Sequence, residues 1–138
     1  MQMYMQEPYV SFKIAKLLKD KGFDWFTFGY YTMDDYESTP YFGVEDLCAD
    51  NWNGQVGEVN DLWFSAPTQQ MALRWLKETN GLWIVPMPCE NGDCYFEIYK
   101  RYGKIWKNNV YDHTEYENFD EPENAIEAAL EYCLINLI

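Results

Sequence analysis

Two cysteines near the middle of the sequence lie close enough along the chain to react with each other. Cys89 and Cys94 flank the segment Glu90-Asn91-Gly92-Asp93, and Asn-Gly between two apolar runs is typical of a two-residue hairpin turn. With that turn, the two cysteines face each other on a non-hydrogen-bonded rung, where Cα atoms lie about 4.5 Å apart. We therefore predict a candidate redox pair, Cys89 and Cys94. The alternative is two free thiols, which a reducing compartment favours.

The remaining chemical groups give little support to catalysis or metal binding. His113 is the single histidine, which excludes a His-rich metal site. Its His-x-Glu sequence lacks the downstream Pro-Cys-x-x-Cys of zinc deaminases. An EF-hand loop starting at Asp50 would need oxygen ligands at positions 3 and 5, which Trp52 and Gly54 occupy. Paired carboxylates could serve a carboxylate-only active site, but no pair stands out. We predict no catalytic residue, no metal and no cofactor.

Aromatic residues form 19% of the chain, and several of them accompany acids in the irregular segment 34–62. Aromatic side chains beside acids on irregular backbone suit a protein interface or a sugar platform. Burial in the core is the alternative. The sequence predicts an interaction surface in this region, made of Tyr36, Tyr41, Phe42, Trp52, Trp63, Glu45 and Asp46.

Charge is distributed unevenly along the chain, which carries a net charge of −13. Residues 27–66 and 111–138 each hold eight acids and no base, while all the bases lie in the other two segments. The acids either form one continuous surface that attracts a basic partner or imitates DNA, or they interleave with lysines from the other segments. Because phosphate contacts need clustered bases, we expect no direct nucleic-acid binding.

Hydrophobic periodicity predicts a helix over about 11–21, with Ser11 as N-cap and a stripe formed by Val10, Ile14, Leu17 and Leu18. A strand is expected near 25–33. Segment 34–62 is rich in turn residues, and we expect short strands within it, over 41–44 and 62–64.

The second half of the chain predicts two helices around a meander. One helix opens at Ser65-Ala66-Pro67-Thr68 and ends at Asn80-Gly81. Strands follow over 82–88, 94–100 and 103–110. The last helix starts at an acidic capping box of Asp120 and Glu123, and its apolar stripe is Ile126, Ala129, Leu130, Cys133, Leu134 and Leu137.

These elements predict an α+β fold in the order α-β(β)-α-β-β-β-α, with three amphipathic helices on an antiparallel sheet of four to six strands. The 138 residues suit one domain over 1–138, with an irregular acidic insert at about 34–62. No apolar run approaches the ~20 residues that cross a bilayer, and no signal-peptide pattern opens the chain. We therefore expect a cytoplasmic protein that does not enter membranes.

Three segments together resemble a group of small proteins encoded by phages and prophage-like elements of gut bacteria. They are VSFKIAKLLKDKGF at 10–23, SAPTQQMALRWLKE at 65–78 and AIEAALEYCLINLI at 125–138. The resemblance implies an origin in a mobile element and a bacterial host cytoplasm. It implies no activity, cofactor or site residue.

The sequence favours a non-catalytic accessory factor of a phage or mobile element that binds a protein partner, which could be basic. The alternatives are a DNA-mimic inhibitor of a host nucleic-acid-binding protein and an enzyme with a carboxylate-only site. The sequence does not define the oligomeric state.

Overall fold

The computed structural model describes residues 7–33, 40–42, 48–54, 63–111 and 118–138. In these residues, a helix and three strands are followed by a second helix, three more strands and a third helix. The chain divides into two compact units, Met1–Gln70 and Met71–Ile138. The α+β class, the three helices and the antiparallel strands are confirmed. The strands form two sheets of three rather than one sheet, and the single domain over 1–138 stays a prediction.

Helix α1 (Phe12–Asp20) confirms the first predicted helix. The Ser11 hydroxyl oxygen accepts a hydrogen bond from the Ile14 amide at 3.3 Å, which caps the first turn. Gly22 ends the helix with a φ of 86°, a left-handed conformation that costs glycine little. Ile14 and Leu18 are buried, whereas Leu17 at the edge of the same stripe is half-buried. The helix therefore buries its apolar stripe and leaves Lys13 and Lys16 exposed.

The first sheet places strand β1 (Gly29–Thr32) between β2 (Tyr41–Phe42) and β3 (Trp63–Ala66). Both neighbours are antiparallel to β1. Each of the segments predicted as strands, 25–33, 41–44 and 62–64, therefore contains a strand, with β1 shorter than predicted and β3 reaching Ala66. Residues 43, 44 and 62 lie outside the described part of the chain. Strand β3 runs on through Ser65 and Ala66, which were predicted to begin a helix. That prediction is wrong because both residues are fully buried and pair with β1.

One face of this sheet packs against α1. The Phe12 ring lies edge-on to the rings of Tyr31 and Phe64, with centroids 5.6 and 5.3 Å away. The Tyr31 hydroxyl donates a hydrogen bond to the carbonyl of Val10 at 2.6 Å. The Lys19 ammonium lies 4.7 Å from the centre of the Phe64 ring and donates to the backbone of β3. These contacts fix the inner face of the first unit.

The described part of the acidic insert is tied to the first unit by hydrogen bonds. Thr27 and Asp50 exchange two backbone hydrogen bonds of 2.9 and 3.0 Å. A single 3₁₀ turn, Trp52–Gly54, follows, and the Asn53 side chain accepts from the Ser65 amide and donates to the Phe23 carbonyl. Residues 34–39, 43–47 and 55–62 of the insert lie outside the described part of the chain.

The second unit is built on a meander of β4 (Leu82–Pro88), β5 (Cys94–Tyr102) and β6 (Ile105–Lys107). All three strands were predicted, with β6 shorter than expected. Helix α2 (Gln69–Asn80) precedes them and ends at Gly81, which has a φ of 63°. Because this helix starts at Gln69, Pro67 lies before its first turn rather than within it.

The hairpin between β4 and β5 differs by one residue from the predicted register. Pro88, not Cys89, pairs with Cys94. The Cys89 amide donates to the Asp93 carbonyl at 2.8 Å, so three residues form the loop. Gly92 has a φ of 93°, and the Asn91 side chain accepts from the Asp93 amide at 3.0 Å. A three-residue loop with a left-handed glycine uses the same Asn-Gly sequence as the predicted two-residue turn.

Helix α3 (Pro122–Asn136) lies against β4 and β5. The predicted capping box is wrong, because the N-cap is Glu121 rather than Asp120 and its side chain makes no capping hydrogen bond. The predicted stripe is confirmed except at its end, where Leu137 is half-buried. Leu130 and Leu134 are completely buried. The apolar side chains that share the core of this unit include Leu82, Ile84, Phe96 and Ile98.

Leu130→Asp tests the burial of this stripe. The substitution places an unpaired carboxylate in the core, and we expect it to lower the free energy of unfolding by at least ~3 kcal/mol. Ile135→Asp is the matched control, since Ile135 lies on the same helix and is 54% exposed. Thermal melts followed by circular dichroism measure both. Equal melting temperatures for the two variants would contradict the packing of α3.

Candidate functional site

Four aromatic rings meet on the face of the first sheet that lies opposite α1. Tyr30 is at the centre, and its ring centroid lies 4.5 Å from Trp52, 5.5 Å from Trp63 and 5.7 Å from Tyr41. Trp52 and Trp63 are themselves 5.7 Å apart. Because Tyr30 alternates with the buried Tyr31 along β1, its ring projects from the opposite side of the sheet. We call Tyr30, Tyr41, Trp52 and Trp63 the aromatic face.

Trp52 is the most deeply buried ring of the aromatic face. It is 8% exposed, and its indole N–H donates to the Thr27 carbonyl at 2.8 Å. Tyr41 lies at the other extreme, 49% exposed. Tyr30 and Trp63 are half-buried between them. The face is therefore a packed aromatic layer whose outer side remains open to solvent.

The chain leading into β1 adds further exposed aromatic surface. Phe26 and Phe28 are 63% and 45% exposed, while Thr27 and Gly29 beside them are buried. Exposed and buried residues alternate here as in a strand with one solvent-facing side. Met33, just after β1, is 42% exposed. Large apolar side chains exposed together mark interaction sites in soluble proteins.

Three of the residues predicted for the interaction surface are brought together. Tyr41, Trp52 and Trp63 all belong to the aromatic face, and Trp52 is the most deeply buried of them. Phe42 lies in β2 opposite Gly29. Tyr36, Glu45 and Asp46 lie outside the described residues, so their part in the surface stays a prediction, and His113 also lies outside them.

The two cysteines of the predicted redox pair differ in environment. Cys94 is buried, and its thiol lies 3.3 Å from the Phe119 carbonyl, to which it donates. Burial raises the pKa of the Cys94 thiol, and the nearby carboxylate of Asp93 raises it further. Cys89 is half-buried, with its sulfur 3.9 Å from Asn118 Oδ1. A protonated, buried thiol reacts slowly. The redox role of the pair stays a prediction.

A surface depression of about 290 Å³ lies beside the β4–β5 loop. Its lining is mostly apolar, and Asp93 is the one carboxylate in it. A glycosidase-like mechanism needs two carboxylates at a set distance. The lining residues are Pro86, Met87, Pro88, Gly92, Asp93, Cys94 and Pro122. This depression therefore does not supply the pair of acids that a carboxylate-only active site requires.

Across 7–33, 40–42, 48–54, 63–111 and 118–138, no three His, Cys, Asp or Glu side chains lie close enough together to hold a metal ion. No helix within these ranges combines the length and apolarity needed to pass through a bilayer.

Comparison with known proteins gives no match to a family model, to a curated protein or to a solved structure.

Trp52→Ala tests whether the aromatic face is a packed layer. Removing a buried indole leaves a cavity and takes away one of the two hydrogen bonds that the Thr27 carbonyl accepts, so we expect a loss of about 3 kcal/mol or more. Tyr41→Ala removes a half-exposed ring and should cost below about 1.5 kcal/mol. Chemical denaturation followed by fluorescence or circular dichroism gives both values. A smaller loss for Trp52→Ala than for Tyr41→Ala would contradict the layer.

Thiol labelling tests the environments of the cysteines. Burial raises the pKa of Cys133 to about 12, so this thiol stays protonated at pH 8, and we expect it to react only on unfolding. Cys48 is exposed and should react first, with Cys94 much slower. Iodoacetamide labelling at pH 8, followed by peptide mass spectrometry, gives the order. Labelling of Cys133 at the rate of Cys48 in the folded protein would contradict this assignment.

Proposed function

We propose that this protein is a non-catalytic factor of a phage or mobile element and acts by binding another protein through the first unit. The observation that carries the proposal is the exposure of Phe26 and Phe28 next to the aromatic face. Along the chain, the exposed residues Phe26 and Phe28 alternate with the buried residues Thr27 and Gly29. Exposed apolar rings on one side of a chain segment are available for contact with a partner protein.

The composition of the aromatic face supports a protein as the partner. Tyrosine, tryptophan, phenylalanine and methionine are enriched at the centres of protein interfaces, where they act as rigid anchors. In this unit the anchors are positioned in advance, because the indole N–H of Trp52 is hydrogen-bonded and Tyr30 packs against three rings. A surface ordered before binding loses less conformational entropy when the partner arrives.

The acidic sequence of the first unit indicates the charge that a partner protein would carry. Residues 27–66 contain eight acids and no base, and this segment supplies every strand of the first sheet. A basic partner is complementary to so acidic a stretch of sequence and would associate faster at low salt. The proposal therefore favours a basic host protein, in agreement with the expectation from the sequence.

The experiment compares proteins captured by two double variants of the full-length chain. Phe26→Ser with Phe28→Ser removes the exposed rings of the first unit. Ile135→Ser with Ile138→Ser removes two exposed apolar side chains from the end of α3 as a matched control. We expect the phenylalanine variant to lose its specific partners at least about tenfold, since aromatic anchors carry most of the binding energy. Quantitative mass spectrometry of captures from bacterial lysate gives the comparison.

Two results would contradict the proposal. One is that the phenylalanine variant, shown to be folded by its melting curve, captures the same proteins as the wild type. The other is that both double variants lose the same partners, because the binding would then depend on general stickiness rather than on this surface.

DNA mimicry is a second candidate, and one observation favours it. Glu123, Glu127 and Glu131 are spaced four residues apart on α3, so they form a row that advances about 6 Å per step. Phosphates of one DNA strand lie about 3.4 Å apart along the axis, so a step of about 6 Å is close to the distance between every second phosphate. Captures repeated at low and high salt separate the two functions. Mimicry predicts partners that bind nucleic acids and are lost at high salt, whereas binding through the aromatic face persists.

A further inference from the structure

The hairpin of β5 and β6 concentrates bases in a chain that is otherwise acidic. Residues 98–111 contain Lys100, Arg101, Lys104 and Lys107 and no acid. Three aromatic residues, Tyr99, Tyr102 and Trp106, alternate with these bases along the two strands. Bases interleaved with aromatic rings on adjacent strands are typical of surfaces that bind single-stranded nucleic acids.

Two of the lysines face each other directly. Lys100 of β5 pairs with Lys107 of β6, so their side chains emerge on the same side of the sheet. Each ammonium lies 5.8 Å from the centre of the Tyr102 ring. Like charges directly opposite each other destabilise a pair of strands. A bound anion would offset any repulsion between the two ammonium groups.

The Tyr102 ring, which both ammonium groups approach, is partly exposed to solvent. Tyr102 is 44% exposed, and its hydroxyl donates to Asn109 Oδ1 at 3.3 Å, which orients the ring. Ile105, opposite Tyr102 across the turn, is 60% exposed. A flat aromatic surface therefore lies within reach of two ammonium groups.

Further cation–ring pairs lie on the other face of the same hairpin and at its side. The Arg101 guanidinium lies 5.6 Å from the centre of the Trp106 ring. The Lys77 ammonium lies 4.0 Å from that of Trp83, which is 40% exposed. These side chains provide a second place where a ring and a cation are presented together.

We propose that the β5–β6 hairpin binds single-stranded nucleic acid, with phosphate groups at Lys100 and Lys107 and a base stacked on Tyr102. A nucleotide supplies both an anion and a planar ring, which complement the two ammonium groups and the aromatic ring of this site. An acidic peptide would satisfy the lysines but would leave the exposed ring without a partner. The expectation of no nucleic-acid binding came from the charge of the whole chain, whereas this site depends on a local cluster.

The net charge of −13 opposes every polyanion at long range. Binding should therefore be strongest at low ionic strength and fall steeply with salt. The full-length protein is titrated against a fluorescein-labelled oligothymidylate of about 15 nucleotides, and anisotropy is followed from about 20 to 200 mM salt. The same titration with labelled polyglutamate tests whether an acidic peptide suffices.

Two variants separate the parts of the site. Lys100→Gln with Lys107→Gln should weaken oligonucleotide binding at least about tenfold and reduce the salt slope by about 1.4, the value for two lost phosphate contacts on a single strand. Tyr102→Leu should weaken binding about tenfold and leave the salt slope unchanged. Lys13→Gln with Lys16→Gln changes the net charge equally on α1 and should leave binding nearly unchanged.

Folding is checked by thermal melts, and the lysine variant of the hairpin should melt at the same or a higher temperature because it loses a like-charge pair. Three results would overturn the proposal: no oligonucleotide binding at low salt, equal loss in the α1 control, or polyglutamate binding as tight as the oligonucleotide with no effect of Tyr102→Leu. The last of these would identify an acidic protein as the partner instead.

Discussion

The two-sided packing of strand β1 determines the structure of the first unit. This strand lies between β2 and β3, so both of its edges are hydrogen-bonded. Its alternate residues then have opposite roles. Tyr31 is buried on the side of α1 and donates its hydroxyl to the Val10 carbonyl, while Tyr30 projects to the other side and collects Tyr41, Trp52 and Trp63. The ordered inner face thus holds the aromatic face in place.

The fold could be predicted from the sequence where the spacing of apolar residues and the capping or turn residues indicate the same element. The stripe and the Ser11 cap of α1 meet this condition, and so do the strands on either side of Asn91-Gly92. The errors come from local alternatives with similar sequence requirements. Ser65 fits a helix cap as well as a strand, and pairing with β1 decides for the strand. Asn-Gly fits both a two-residue and a three-residue loop, which differ by one residue in register.

The candidate site could be predicted only in part. Aromatic residues of the insert were identified, but Phe26, Phe28 and Tyr30 were not, since the segment 23–31 is so aromatic that apolar content does not distinguish its two sides. Trp52 was predicted to lie on an interaction surface because it belongs to an acidic, turn-rich segment. It is buried instead, and its indole N–H donates to the Thr27 carbonyl. The basic hairpin of β5 and β6 was not predicted as a binding site, because the expectation about nucleic acids was drawn from the net charge of the whole chain, −13. The pairing of Lys100 with Lys107 follows from the register of β5 and β6. Composition alone does not predict that register.

Hydroxyl-radical footprinting of the full-length chain, free and bound to a captured partner, tests the central claim that the aromatic face and its flanking phenylalanines form the binding surface. In the free protein, Phe26, Phe28 and Tyr41 should be oxidised rapidly and Tyr31 slowly, in line with their exposure. In the complex, the oxidation of Phe26, Phe28 and Tyr41 should slow down together. Unchanged oxidation of these three residues in a complex that protects another part of the chain would contradict the account.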